Sequence, residues 1–311
     1  FIGSHLCDAL IGEGHNLVCV DDLSLGRISN ITHLTRLPSE RFQLIEIDIL
    51  DRTRFPKVVA STRPDVIFHM AANSDIPRGL TDPETDLRKT FLTTTEVLLA
   101  MKESEVKKLV FASTSAIYGE LDAPLTEDVG PLQPISLYGA GKLGAEAFIS
   151  AFSACFGIQS WVFRFPNVVG ERATHGAMFD FINKLELNSS ELVVLGDGSQ
   201  SKPYVYVKDL VRGILYGWAN SGNRLNCYNL GVESTTTVRT IAEIVRDEMG
   251  LPDASIRYTG GDRGWVGDVP HFRYDLTKIH RLGWRAEMTS DQAVRAAVRA
   301  ELDLRKTGDR T

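Results

Sequence analysis

Short apolar runs alternate with longer amphipathic stretches through the first half of the chain. Leu17-Val18-Cys19-Val20, Phe42 to Ile47, Asp65-Val66-Ile67-Phe68-His69, Lys108-Leu109-Val110-Phe111-Ala112 and Trp161-Val162-Phe163-Arg164-Phe165 concentrate β-branched, aromatic and leucine residues. That is the signature of strands buried on both faces of a parallel sheet. Helical stretches lie between them, clearest at Glu96 to Met101 and Leu143 to Phe152. The alternation predicts an α/β fold, a Rossmann-like doubly wound parallel sheet, over residues 1–165. From 166 to 311 the pattern is less regular, with a helix expected over His175–Leu187, a strand over Leu192–Leu195, a helix over Val238–Met249, and loops at Asp197-Gly198 and Thr259-Gly260-Gly261-Asp262. This part is expected to form a smaller carboxyl-side lobe.

Composition narrows the classes. The 311 residues are 43% hydrophobic and 24% charged, enough for one large core and a smaller one. No apolar run approaches a membrane span. A formal charge of −6 with no basic stripe argues against nucleic acid as a partner. Cys7, Cys19, Cys155 and Cys227 lack metal-type spacing, so no metal is expected. Three of them sit in apolar runs, which predicts buried free thiols and a reducing, cytoplasmic setting.

Open α/β sheets bind ligands at the carboxyl ends of their strands, so the residues that follow each run carry the chemistry. The opening Phe1-Ile2-Gly3-Ser4-His5-Leu6 reads as the tail of a glycine-rich turn entering a helix, where backbone N–H groups meet a pyrophosphate. On that reading an upstream strand and further glycines precede Phe1; the alternative is an ordinary amphipathic helix. Asp21 and Asp22 close the next run, where an acid holds ribose hydroxyls and repels the extra phosphate of NADP. They favour NAD, while Arg27 keeps NADP in view. Asp48 and Ile49 could flank an adenine, and Ala71 and Ala72 are small enough for close backbone approach to a cofactor. Ser113-Thr114-Ser115 arrive at the end of a further strand.

Tyr138-Gly-Ala-Gly-Lys142 places a phenol and an ammonium one helical turn apart on one face. A neighbouring cation favours phenolate, so Lys142 is expected to lower the pKa of Tyr138 and fit it for acid/base work. The spacing alone is common by chance; its company gives it weight.

Taken together, F-I-G-S-H, V-D-D-L-S, D-I-L-D, H-M-A-A, S-T-S-A-I-Y-G, Y-G-A-G-K and R-F-P-N-V-V-G resemble the extended short-chain dehydrogenase/reductase superfamily. Within it the chain is most similar to the NAD-dependent epimerase/dehydratase family, in its UDP-glucose (UDP-galactose) 4-epimerase group, from Phe1 to about Arg299. Thr174-His175-Gly176, the Asp180-Phe181-Ile182 helix, Leu195-Gly196-Asp197-Gly198 and Arg263-Gly264-Trp265-Val266-Gly267-Asp268 sharpen the likeness. The resemblance implies an NAD domain over 1–165 and a substrate lobe over 166–311, interleaved with it.

It also implies roles. Thr114, Tyr138 and Lys142 form the catalytic set: Tyr138 takes the proton from the hydroxyl on sugar carbon four, Thr114 shares that hydrogen bond, and Lys142 also bonds the nicotinamide ribose. The 4-keto sugar then turns over and is reduced on its other face. Thr90 stands where the family has an asparagine touching the cofactor. Asn167, His175, Lys202, Tyr204 and Arg263 are implied contacts to the UDP-sugar, Arg263 through a bidentate grip on pyrophosphate, and Phe272 falls where sugar size is gated. Tyr206 shares a strand face with Tyr204. Tyr118 and Arg164 are expected to be structural, and Ser115 to point away from Thr114 if the strand persists.

Alanine at 116 weighs against the dehydratases and decarboxylases of the superfamily, which carry an acid there. Ser74-Asp75-Ile76-Pro77-Arg78-Gly79 departs from the family and puts a charge pair near the sugar; a solvated Asp75–Arg78 ion pair is preferred over recognition of a glucuronate. UDP-N-acetylhexosamine epimerases and nucleotide-sugar reductases remain alternatives, as does, in a different class, a non-catalytic NAD or nucleotide-sugar sensor. The apolar helices Glu96–Lys102 and Gly139–Ala154 suggest a homodimer.

Overall fold

The computed structural model describes residues 1–261, 263–264 and 267–307. Trp265 and Val266 of the expected Arg263–Asp268 motif, and Asp262 of the glycine loop before it, lie outside the described residues. The helices are α1 (Ile2–Gly12), α2 (Phe55–Thr62), α3 (Arg78–Thr81), α4 (Pro83–Asp86), α5 (Thr93–Glu103), α6 (Leu137–Phe156), α7 (Ala177–Leu187), α8 (Val207–Asn220), α9 (Val238–Glu248), α10 (Thr277–Leu282) and α11 (Ser290–Thr307). A π-helical turn, Leu87–Leu92, links α4 to α5. The strands are β1 (Leu17–Asp21), β2 (Phe42–Glu46), β3 (Ile67–His69), β4 (Lys108–Thr114), β5 (Gln159–Phe165), β6 (Asn167–Val169), β7 (Glu191–Val194), β8 (Ser201–Lys202), β9 (Tyr204–Tyr206), β10 (Leu225–Asn229), β11 (Thr236–Thr237) and β12 (Ser255–Tyr258).

The chain forms two compact units. The first contains Phe1–Ile117, Gln133–Arg164 and Leu215–Tyr228; the second contains Tyr118–Leu132, Phe165–Ile214 and Asn229–Thr311. In the first, β1 and β2 pair in parallel with Leu17 opposite Phe42. Four further strands run in the order β10-β5-β4-β3, with β3 and β4 parallel and Ile67 opposite Leu109. The apolar runs read from the sequence supply the core: Leu98, Met101, Leu109, Phe111, Ala145, Ile149 and Ile158 are closed to solvent. A smaller cluster of Ile31, Leu34 and Phe42 packs beside α1 and β1.

In the second unit β6 pairs with β9 and β7 with β12, both in parallel. Its core joins Ile182, Leu192, Val194, Ile241, Val245, Val294 and Val298. Among the described residues no helix is long and apolar enough to cross a membrane.

Two expectations shift. Helix α6 starts at Leu137, earlier than the apolar pattern implied, because the Ser136 hydroxyl caps it by accepting the Gly139 N–H at 3.1 Å. It ends at Gly157 in the left-handed region, φ 68°. The cysteines are free, but not buried as expected: Cys7, Cys19 and Cys227 are half-buried and Cys155 is exposed. Cys155 sits in the last turn of α6 between two exposed residues, so its apolar neighbours in sequence do not enclose it.

Glu146 and Arg164 are both buried and joined by a forked ion pair, Nε to Oε1 at 3.0 Å and a terminal nitrogen to Oε2 at 2.6 Å. The Ser113 hydroxyl donates to the same carboxylate. Arg164 is structural, as expected. Removing one member of a buried pair leaves the other charge uncompensated. Arg164→Leu is therefore expected to lower unfolding stability by about 3 kcal/mol, the low end of such losses, measured by urea denaturation of the full chain.

Candidate active site

Strand β4 ends at Thr114, and a short 3-10 turn, Ser115–Ile117, follows. The strand does not persist to Ser115, so the expected opposition of the two side chains has no strand to act in. The Thr114 hydroxyl accepts the Ala116 N–H at 3.1 Å, fixing the turn, and its side chain hydrogen-bonds the Tyr138 phenol. The two glycines between Tyr138 and Lys142 allow this approach. A β-carbon on Gly139 would collide with the Ala116 carbonyl, and one on Gly141 would lie 3.2 Å from the Thr90 side chain.

Lys142 is buried at 2% exposure, and its ammonium donates to the Ala112 carbonyl at 2.6 Å, 4.5 Å above the Phe111 ring. It lies 6.0 Å from the Tyr138 ring centre. The expected depression of the phenol is not what the surroundings produce. Desolvation pushes the half-buried Tyr138 up to about 12; the Thr114 hydrogen bond pulls it down and the charge of Asp86 pushes it up. Lys142 is itself brought down to about 7 by burial, against a raising influence from Glu146. Its donor bond is spent on β4, and near neutral pH only part of the population carries the charge that would favour tyrosinate. His69, buried beside it, falls to about 3 through burial and the Lys142 charge, and is neutral.

The groups expected to hold NAD show a graded fit. Asp21 ends β1, and its Oδ1 accepts the Leu23 N–H at 2.8 Å; its other oxygen has no partner among the described residues. Asp22 is engaged instead: Oδ1 accepts from the Ser24 N–H and hydroxyl, and Oδ2 lies 3.5 Å from the Lys89 ammonium. Asp21 is thus the less engaged of the two acids. Phe1, Ile2 and Gly3 open α1, whose first turn carries no acidic residue, and a β-carbon on Gly3 would touch only Met70 at 4.0 Å. That open backbone suits a pyrophosphate. Asp48 is exposed with Oδ1 on the Leu50 N–H, Ile49 packs on the core, Ala71 is exposed and Ala72 half-buried. This donor set fits a dinucleotide. Thr90 differs: its residue is fully buried, and its hydroxyl donates to Asp86 and accepts the Asn73 N–H, each at 3.3 Å. The hydroxyl expected to touch the cofactor is used inside the protein.

The substrate candidates all belong to the second unit. Asn167, exposed at the start of β6, stands opposite Tyr204 and hydrogen-bonds its phenol. Tyr206 donates to Glu171 at 2.8 Å, so the two buried tyrosines are both satisfied internally. Lys202 pairs with the Asp268 carboxylate, while Arg263 bonds the Asp268 carbonyl at 3.3 Å and Glu120 at 2.5 Å. Lys202 and Arg263 therefore meet around Asp268, each already matched to an anion or carbonyl. His175 is exposed, 2.9 Å from the Thr174 hydroxyl. Phe272 stands edge-on to Tyr274 at 5.8 Å. Tyr118, packed as expected, donates to Asn229 at 2.6 Å. The preferred Asp75–Arg78 ion pair is not formed; Arg78 is exposed with no side-chain partner among the described residues.

Sequence reasoning missed Glu146 and Asp86. Glu146 was legible, since it extends the Tyr138–Lys142 face by one more step of four. Asp86 follows Pro83-Glu84-Thr85 and gives no sign of burial.

A depressed Lys142 has a consequence for stability. Between its native value near 7 and the ordinary lysine value of 10.5 the unfolded chain binds the proton and the native chain does not. Stability from this group therefore rises with pH across that window, by up to about 1.4 kcal/mol per unit. Denaturation midpoints measured from pH 7 to 10 are expected to rise less steeply in Lys142→Met.

Residues 1–231 match the model of the NAD dependent epimerase/dehydratase family. The UDP-glucose 4-epimerase of Mycolicibacterium smegmatis is 29% identical over 306 residues, covering 96% of this chain and 94% of the relative. A crystal structure of UDP-galactose 4-epimerase superposes with a TM-score of 0.85 at 35% identity, over 99% of this chain and 96% of that one. The UDP-glucuronic acid 4-epimerase of Bacillus cereus, in complex with UDP-glucuronic acid and NAD, does so with a TM-score of 0.86 at 27% identity and the same coverage. With most of its length matched by that model and its α/β fold shared with the epimerase structures, the chain belongs to the NAD-dependent epimerase/dehydratase family.

Proposed function

We propose that the protein inverts carbon four of a UDP-sugar, interconverting UDP-galactose and UDP-glucose, with NAD retained through turnover. The observation that carries this is the hydrogen bond between Thr114 and the Tyr138 phenol, one helical turn from buried Lys142. NAD, when bound, supplies the hydride acceptor and donor for carbon four. Tyr138 removes the proton of the carbon-four hydroxyl and later returns one to the carbon-four oxygen as the inverted alcohol forms. Thr114 holds that hydroxyl in line through the same hydrogen bond. Lys142, fixed to the end of β4 by Ala112, fixes the face of α6 that carries the phenol. Asn167, His175, Lys202, Tyr204 and Arg263 take the nucleotide portion, and Phe272 limits sugar size. Ala116 supports epimerisation over dehydration, because a methyl group is no base.

One observation favours a second substrate. Arg78 is exposed and without a side-chain partner, and its neighbour Gly79 packs against Leu137, next to Tyr138; a β-carbon there would lie 3.6 Å from that of Leu137. A guanidinium so placed suits a glucuronate carboxylate.

Incubation with a panel of UDP-sugars and no added NAD, followed by anomeric proton NMR, is expected to show UDP-glucose forming from UDP-galactose. Equilibration of UDP-glucuronate alone would replace the hexose and keep the reaction. Tyr138→Phe is expected to lower turnover by about 10²–10⁴ while bound NAD, read by its absorbance after release, is unchanged. A variant as active as the parent would remove Tyr138 from the chemistry and point to a binding role for the fold.

Leu99 on α5 and Phe148 and Phe156 on α6 are large apolar side chains left exposed. We infer that this face pairs with a second copy of the chain. Sedimentation velocity should give a dimer that Phe148→Glu converts to monomer.

A further inference from the structure

We propose that Asp86 is a positioning residue of this site, a buried carboxylate packed beside the first turn of α6 whose charge opposes the formation of a tyrosinate at Tyr138. The proposal rests on the reading of Tyr138 as the acid/base.

Asp86 closes α4 at 1% exposure, where the chain enters the π-helical turn. Its Oδ1 accepts from the Asn73 amide at 2.9 Å and from the Thr90 hydroxyl at 3.3 Å. Its Oδ2 is buried with no hydrogen-bond partner among the described residues. That oxygen lies against Gly79, where a β-carbon would strike it, and the same point is 3.6 Å from Leu137. On the other side, a β-carbon on Gly141 would lie 3.3 Å from the Asp86 carbonyl oxygen. Asp86 therefore lies against the helical turn that carries Tyr138, and its charge acts on the phenol.

The charged groups around it leave that charge uncompensated. Asp75, in the loop before α3, is of like sign and acts on Asp86 directly. Arg78 on α3 and Arg88 in the π-helical turn are exposed, as is Glu84 on α4 itself. Lys89 is engaged by Ser24 and Asp22. On α6, Lys142 donates to the Ala112 carbonyl. No ion pair reaches Asp86 among the described residues. Burial raises its carboxyl above the usual range, against the two hydrogen bonds, and Asp75 adds to the rise. An ionised Asp86 in poorly screened surroundings opposes a tyrosinate, so removal of its charge makes the phenol more acidic.

The test uses the full-length protein with its NAD, carrying 3,5-difluorotyrosine at position 138 to bring the phenol into an accessible range. Its ionisation is followed by ¹⁹F NMR. Asp86→Asn, which keeps the shape and the acceptor oxygen, is expected to move the midpoint to lower pH by roughly one unit. The rise of turnover with pH should begin correspondingly lower. Glu84→Gln, an exposed change on the same helix, should leave the midpoint in place. Should the asparagine variant not fold, Asp86→Ser reads the same charge. An unmoved midpoint, or an equal movement in Glu84→Gln, overturns the proposal. A moved midpoint in a protein that epimerises nothing would sink the functional reading while Asp86 keeps its role; turnover with an unmoved midpoint would do the reverse.

Discussion

The first turn of α6 can lie on the end of β4 only because Gly139 has no β-carbon to meet the Ala116 carbonyl. Everything at the Tyr138 site follows from that contact. It brings the phenol within reach of Thr114, which is itself held by the Ala116 N–H. It lowers Gly141 onto the Asp86–Thr90 segment, and it sends Lys142 back to the Ala112 carbonyl. Added volume in such a contact forces backbone shifts that cost about 1–3 kcal/mol. Here the shift would act on the hydrogen bond between Thr114 and the Tyr138 phenol.

Burying Lys142 then sets the demands on the rest of the first unit. An ammonium at 2% exposure is costly unless its donors are used. The carbonyl of Ala112 and the face of Phe111 supply part of the compensation. One turn further along α6, Glu146 is held by Arg164 and by the Ser113 hydroxyl. Ser113 and Thr114 thus divide the work of the strand end. The first looks inward to the buried ion pair, and the second meets Tyr138. Adjacent strand residues point to opposite faces, so one short segment serves both needs.

Much of this was legible in the sequence because it is written in local patterns. The strand cores, the acid that ends β1, and the four-residue spacing of Tyr138 and Lys142 are all short-range signals. The first turn of α6 was legible from the Tyr138–Lys142 spacing and not from the apolar pattern, because glycines weaken helix propensity, and the reason for those glycines is a contact with residues 86, 90 and 116. Long-range pairing also decided the cations of the second unit. Arg263 meets Glu120 and Lys202 meets Asp268, partners that no sequence spacing relates. Asp22 and Asp21 look equivalent in the chain; only the fold, by bringing Lys89 and Ser24 to one of them, separates their roles. The expected influence of Lys142 on Tyr138 failed for a related reason. Sequence gives the spacing of two groups and not their desolvation, and here desolvation dominates both.

That dominance defines the electrostatic problem of the site. With the phenol pushed up to about 12, tyrosinate at neutral pH is about one part in 10⁵ by the protein's own groups. At so small an ionised fraction each influence on the phenol counts. Two carboxylates bear on the pair. Glu146 favours the charged form of Lys142. Asp86 acts on the phenol directly and raises it. Arg164 and Ser113 hold the first in place, and Asn73 and Thr90 hold the second. The proton affinity of Tyr138 is therefore set first by its own desolvation, which Thr114 opposes and Asp86 reinforces, while Glu146 bears on the neighbouring Lys142.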